Sequence, residues 1–235
     1  MSPLKTLREI QQISPLKASI MRLSFTATVL SLCTALATAS PVSQPITFGS
    51  DEVYLEAISY AGTGCPAGSV AVSALQGGGG VVLDFDDRFC AAIGPHVPPS
   101  LWSKNCNVNF RLHYPQGYTF TLFKTEYIGH VELDKGIQAI EESSFWFSGA
   151  PPPPPPPYKA TWTGALSTNY DITHAFDEGA LVWSPCGAST TLNVNTRITL
   201  DRSGNTGGQG SICLDKIKEK VKTIISIQWK RCQYP

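Results

Sequence analysis

The chain has 235 residues, 18 Lys and Arg against 18 Asp and Glu, and 42% hydrophobic residues. A balanced charge without a concentrated basic cluster excludes a nucleic-acid partner, because tracking phosphates needs clustered Lys and Arg. The one Lys-rich run, Lys216 to Lys222, follows Asp215, carries Glu219, and reads as a solvated segment.

In chain order, residues 1–20 are polar and basic, with Lys5, Arg8 and Lys17, and read as an upstream extension of the start or a long n-region. Met21 to Ser40 has one basic residue, Arg22, an uncharged apolar run, and then Ala37-Thr38-Ala39. That is the layout of a secretory signal peptide over residues 21–39. The run is too short and too rich in Thr and Ser for a membrane span, and no later segment approaches one. The C-terminus, Lys230 to Pro235, is polar, so no lipid anchor is expected there. Removing residues 1–39 takes Lys5, Arg8, Lys17, Arg22 and Glu9 with it and leaves 14 basic residues against 17 acidic. The remaining 40–235 suffice for a single secreted domain with a sizeable core.

Export decides how the cysteines are read. Cys33 falls in the leader, leaving Cys65, Cys90, Cys106, Cys186, Cys213 and Cys232. Six cysteines in a secreted chain imply three disulfides with fifteen possible pairings. No Cys-x-x-Cys pair supports a zinc site, and no Asn-x-Ser/Thr sequon occurs.

The mature chain reads as strands. Val53–Tyr60, Ser69–Leu75 and Gly80–Asp86 come first, punctuated by Gly62-Thr-Gly64 and Gly77–Gly80. Cys106–Tyr114 alternates cleanly, with Val108, Phe110, Leu112 and Tyr114 on one face and Asn107, Asn109, Arg111 and His113 on the other. Period two with one polar face marks a strand half buried in an antiparallel sheet. Tyr118–Tyr127 and Ile137–Ser148 follow, and in the latter Trp146 lies between Phe145 and Phe147, which turns it away from the main core. Pro151 to Pro157 is an unbroken proline run that must leave the sheet as polyproline II. It reads as a stiff loop joining two strands of a hairpin. The alternative, a ligand for an aromatic groove, suits cytosolic readers better. Tyr158–Thr163, Ala180–Ser184, Thr190–Leu200 and Thr223–Arg231 complete the strands, with Leu214–Lys222 the one helix candidate. In Thr190–Leu200, Leu192, Val194, Ile198 and Leu200 oppose Asn193, Asn195, Arg197 and Thr199. Many short strands with Gly and Pro turns indicate an all-β, disulfide-stapled antiparallel β-sandwich, jelly-roll-like or Greek-key.

A faint echo links Trp102-Ser103 before Asn107-Val-Asn-Phe-Arg111 with Trp183-Ser184 before Asn193-Val-Asn-Thr-Arg197. Convergent strand chemistry accounts for it. As a true repeat it would put the two strands in equivalent halves or side by side, their Asn and Arg side chains forming a polar ladder.

The order Tyr60-Ala-Gly-Thr-Gly-Cys-Pro66, Asn105-Cys106, Pro115-Gln-Gly-Tyr118, Tyr127-Ile-Gly129, Trp183-Ser-Pro-Cys-Gly187, Leu192-Asn-Val-Asn-Thr-Arg197, then Trp229 and Cys232 resembles domain-of-unknown-function family 4360 across residues 50–232. These are small secreted proteins, mainly of filamentous fungi. The resemblance implies export and a β-rich fold but no established activity. Cys90 and Cys213 are additional to the family's usual four cysteines, and the proline run is an insertion. The resemblance therefore implies that Cys90 pairs with Cys213, leaving Cys65–Cys106 and Cys186–Cys232 as shared bridges.

Catalytic signatures are missing from the sequence: no Gly-x-Ser-x-Gly, His-Glu-x-x-His, P-loop or dinucleotide fingerprint occurs. His96, His113, His130 and His174 are scattered. Asp84, Asp86 and Asp87 form the densest acidic cluster and read as a solvated strand end rather than a cation site. Glu126, Glu132, Asp134, Glu141 and Glu142 are the carboxylates from which a glycosidase pair would be drawn, and the sequence selects none. Trp102, Trp146, Trp162, Trp183 and Trp229 can include a sugar-stacking platform, while Trp229, in phase with Ile225 and Ile227, reads as core.

The expectation is thus a non-enzymatic extracellular or wall-associated protein meeting polysaccharide or a host surface, without metal, cofactor, nucleic acid or membrane. Its candidate ligand-binding residues are Asn107, Asn109, Arg111, Asn193, Asn195, Arg197 and Trp146. Two alternatives stand beside it: an extracellular hydrolase with a cryptic carboxylate pair, and a protein-binding effector with an exposed apolar patch.

Overall fold

Strands dominate because period-two apolar residues recur in runs that turn residues interrupt. The computed structural model describes Ile46, Phe48, Gly49 and residues 52–149, 157–187, 189–214 and 223–233. The expected leader at 21–39, the stretch before it and all but the last of the seven prolines lie outside the described residues. So does the expected helix beyond Leu214.

The described residues form twelve strands: β1 (Tyr54–Ala61), β2 (Val70–Leu75), β3 (Gly80–Phe85), β4 (Cys90–Ile93), β5 (Ser103–His113), β6 (Tyr118–Leu133), β7 (Gln138–Phe147), β8 (Tyr158–Thr163), β9 (Leu166–Ala175), β10 (Thr191–Asp201), β11 (Gly210–Leu214) and β12 (Thr223–Arg231). They form two sheets, one ordered β1-β5-β10-β7-β8, the other β2-β3-β12-β6-β11-β4 with β9 paired to β6. All recorded pairings are antiparallel. The fold is an antiparallel β-sandwich.

One continuous core lies between the sheets. Val108, Phe110 and Leu112 of β5, Leu192, Val194 and Ile198 of β10, and Phe145 and Phe147 of β7 face Phe120 and Leu122 of β6 and Ile225, Ile227 and Trp229 of β12. At its centre Phe120 meets Tyr114, Phe147 and Trp229, each with ring centroids 5.2 Å apart. Burying each such ring stabilises the fold by roughly 1.5–3 kcal/mol.

Strand β6 runs past the expected end at Tyr127. Its first half pairs with β12 and its second half with β11, while β9 takes the opposite edge. Gly129 makes this crowding possible: a Cβ there would stand 2.2 Å from the Cys213 carbonyl oxygen and 2.3 Å from the Tyr170 hydroxyl. The strand expected at Ala180–Ser184 is instead a 3-10 turn, Glu178–Ala180, leading into an irregular strap. Side-chain hydroxyls share its attachment to β6 with the backbone bonds from Ser184 to Phe120 and from Gly187 to Tyr118. The Thr121 hydroxyl donates to the Val182 carbonyl at 2.7 Å and the Thr119 hydroxyl to the Ser184 carbonyl at 2.5 Å.

Cys65 is bonded to Cys106, Cys90 to Cys213 and Cys186 to Cys232. The first ties the β1–β2 loop to β5. The second ties β4 to β11, where the two residues pair in register. The third fastens the strap to the end of β12.

Candidate functional site

The asparagines converge because β5 and β10 are neighbours. Asn109 lies opposite Asn193 and Asn107 opposite Asn195, so four amide side chains form a block on the outer face of the five-stranded sheet. Antiparallel pairing places an arginine at each end of the block, Arg111 opposite Thr191 and Arg197 opposite Asn105. The row continues outward on both sides. Ser59 of β1 faces Asn109, and Trp146 of β7 faces Asn193.

Hydrogen bonds orient this face. The Asn107 amide donates to the Asn109 carbonyl oxygen at 3.0 Å, and the Asn109 amide to the Ser59 hydroxyl at 3.4 Å. The buried Asn193 amide donates to the Ser148 hydroxyl at 3.0 Å and the Trp146 carbonyl at 3.2 Å. Arg111 is held by Glu56 at 2.9 Å. Exposed Arg197 sits opposite Glu142, which pairs with Lys159 at 3.0 Å.

The tryptophans separate by what covers them. Trp229 is core. Trp162 packs on Tyr170 at 4.6 Å, the Arg202 guanidinium lies 4.5 Å over Trp102, and the Lys230 ammonium lies 3.7 Å over Trp183. Among the described residues no aromatic ring or cation packs on Trp146, which is half-buried beside the asparagine block.

The carboxylates do not gather. Glu126 pairs with Lys124, Glu132 and Asp134 are exposed, and Glu142 faces outward. Asp84 is exposed, and Asp86 turns to Arg88, whose side-chain hydrogen bond holds its carboxyl below the usual value. Glu141 is the exception, at 0% exposure between the sheets. Its Oε2 lies 2.8 Å from Nε2 of buried His174, and desolvation pushes its pKa up. Beside it the Tyr127 phenol, 3.2 Å from the Thr196 hydroxyl, is pushed up to about 12 by burial and by the Glu141 charge. The Thr125 and Ser143 hydroxyls lie close enough to favour the phenolate, yet neither reaches hydrogen-bond geometry, and Glu141 Oε1 also lacks a partner among the described residues. This is a closed carboxyl–imidazole pair in a packed core, and among the described residues no second carboxylate converges on it.

A disulfide-closed antiparallel β-sandwich with one ordered polar sheet face defines a small extracellular β protein. The chain belongs to the family described as a domain of unknown function (DUF4360), whose model matches residues 51–232. An uncharacterized secreted protein of Arthroderma benhamiae is 31% identical over 182 residues, covering 77% of this chain and 73% of that one. The solved structure of TmCBM61 in complex with beta-1,4-galactotriose is 12% identical and covers 81% of this chain and 100% of that one, with a TM-score of 0.21. A superposition that loose carries no argument about ligands. The three bridges and the secreted relative place this protein among secreted proteins.

Proposed function

We propose that the outer face of the five-stranded sheet is a non-catalytic polysaccharide-binding surface of an exported, wall-associated or host-surface protein. The observation that carries this reading is the in-register block of Asn107, Asn109, Asn193 and Asn195 with Trp146 beside it. Amide side chains both donate and accept, which matches the paired donor and acceptor of a sugar hydroxyl. An indole face on which no described aromatic ring or cation packs matches the apolar C–H face of a pyranose. Chemistry on a substrate is a weaker reading, because among the described residues the carboxylate with a raised pKa, Glu141, is buried in the core. Protein contact is weaker too. The exposed large apolar side chains among the described residues, Tyr54, Leu75 and Leu101, lie on separate elements and make no continuous patch.

The test is retention on chitin, insoluble β-glucan and plant cell wall. Retention on at least one is expected, with Trp146→Ala weakening it about tenfold, as one lost aromatic contact worth about 1.4 kcal/mol requires. Asn109→Ala with Asn195→Ala should weaken it at least as much. No retention on any of the three removes the reading.

A further inference from the structure

A second feature lies on the other sheet, away from the asparagine block. A groove of about 970 Å³ runs along the outer face of β12. That volume falls within the range of about 300–1,000 Å³ typical of ligand sites. Its floor is Ser226, Gln228 and Lys230, every second residue of the strand. One wall is the turn between β2 and β3. The other is the strap, which places Trp183 against the floor. Register slips once between β6 and β12, at Ser226/Ile227, and Phe123 is the extra residue turned out into the groove. The strap is fixed rather than loose. The Ser184 amide donates to the Phe120 carbonyl at 2.8 Å, the buried Thr119 and Thr121 hydroxyls anchor it, and the Cys186–Cys232 bridge closes its end.

The electrostatics are one-sided at the strand's end. Lys230 and Arg231 have no carboxylate partner among the described residues, and the Lys230 ammonium rests on the Trp183 ring instead. Glu178 also lines the groove. The site thus joins an indole and a phenyl wall, a floor of hydroxyl and amide groups, and two cations without a carboxylate partner among the described residues. We propose that this groove binds a uronic-acid-containing polysaccharide, its carboxylate on Arg231 and on the Lys230 ammonium that rests on Trp183, and its sugar rings along Phe123. Peptide strand addition does not fit, because the floor is a sheet face and β12 is hydrogen-bonded to β3 and β6 on its two edges at Ile224–Ser226. Two cations also fall short of the density that phosphate tracking requires.

The probe is a set of soluble oligogalacturonates, titrated calorimetrically at low and moderate salt against the same oligomers with their carboxyl groups reduced. The acidic oligomers should bind, with affinity falling as salt rises, and the reduced oligomers should bind about tenfold more weakly or worse. Lys230→Gln with Arg231→Gln should erase the difference between the two probes, while Lys230→Arg should keep it. Both cations are exposed, so these variants leave the core intact. Trp146→Ala should not change this binding, which separates the groove from the asparagine face. Equal binding of the reduced oligomers, full competition by polyglutamate, an unaffected Lys230/Arg231 double variant, or no binding at low salt would each overturn the proposal.

Discussion

Replacing Cys90 and Cys213 together by Ala should lower stability by about 4–5 kcal/mol, the largest loss expected from removing any one bridge. The reason is loop length. Cys90 and Cys213 are 123 residues apart, against 41 and 46 for the other two pairs, and constraint of the unfolded chain grows with the logarithm of the loop. The shorter loops should each be worth about 4 kcal/mol in the same treatment. The long bridge also acts where the fold is thin. β4 has four residues, and its recorded strand partner is β11. Without the bond, β4 is expected to open before the rest of the sheet. Thermal unfolding of the double variant should fall by about 10–20 °C, and peptide mapping under non-reducing conditions should recover the Cys90–Cys213 pair from the natural protein. A variant that melts with the wild type would show that this bridge does not hold the sandwich closed.

His174→Ala should cost about 3–5 kcal/mol, because it leaves the fully buried Glu141 without its partner. Replacing both residues by Leu should recover most of that loss, since a buried hydrogen-bonded pair exchanged for apolar groups of similar shape is close to neutral. Urea midpoints of the two single variants and the double variant measure the coupling. The pair also has a pH signature. Burial raises the Glu141 pKa above its ordinary 4.5, so at intermediate pH the native state keeps a proton that the unfolded chain has released. The contribution is therefore complete below pH 4.5 and is lost as pH rises through the raised native value. Stability should slope downward on the alkaline side of 4.5, and Glu141→Gln should flatten that slope. A slope unchanged in Glu141→Gln would assign it to another group.

The class of fold was legible because β5 alternates cleanly and β10 does so apart from inward Thr196, and their polar faces were visible as Asn and Arg at every second position. Which strands lie side by side was not. The alternation of one strand carries no information about its neighbour, and only the sheet order makes four scattered asparagines into one block. Strands β4, β9 and β11 escaped detection for separate reasons. β4 and β11 are short, with small or cysteine side chains. β9 is an edge strand whose covered positions, Leu166, Tyr170, Ile172 and His174, include a histidine and are interrupted by exposed Thr168. Missing β9 hid the partner of Glu141, although Glu141 is in phase with inward Phe145 and Phe147 and so carried a sign of burial. The disulfide pairing rested on family resemblance, since spacing alone left all fifteen arrangements open. The strap reads as a strand because Leu181 and Val182 look apolar enough for one, while the β6 hydroxyls of Thr119 and Thr121 take the carbonyls of Ser184 and Val182 that a regular ladder would use.

Where a neutral glycan touches the molecule decides whether the outer face of the five-stranded sheet is the binding surface. Titration of the isotopically labelled, disulfide-intact protein with a soluble oligosaccharide of whichever polymer retains it should shift the side-chain amide resonances of Asn107, Asn109, Asn193 and Asn195 and the indole N–H of Trp146. Saturable shifts centred there are the predicted result. Binding that leaves those five side chains unmoved would contradict it.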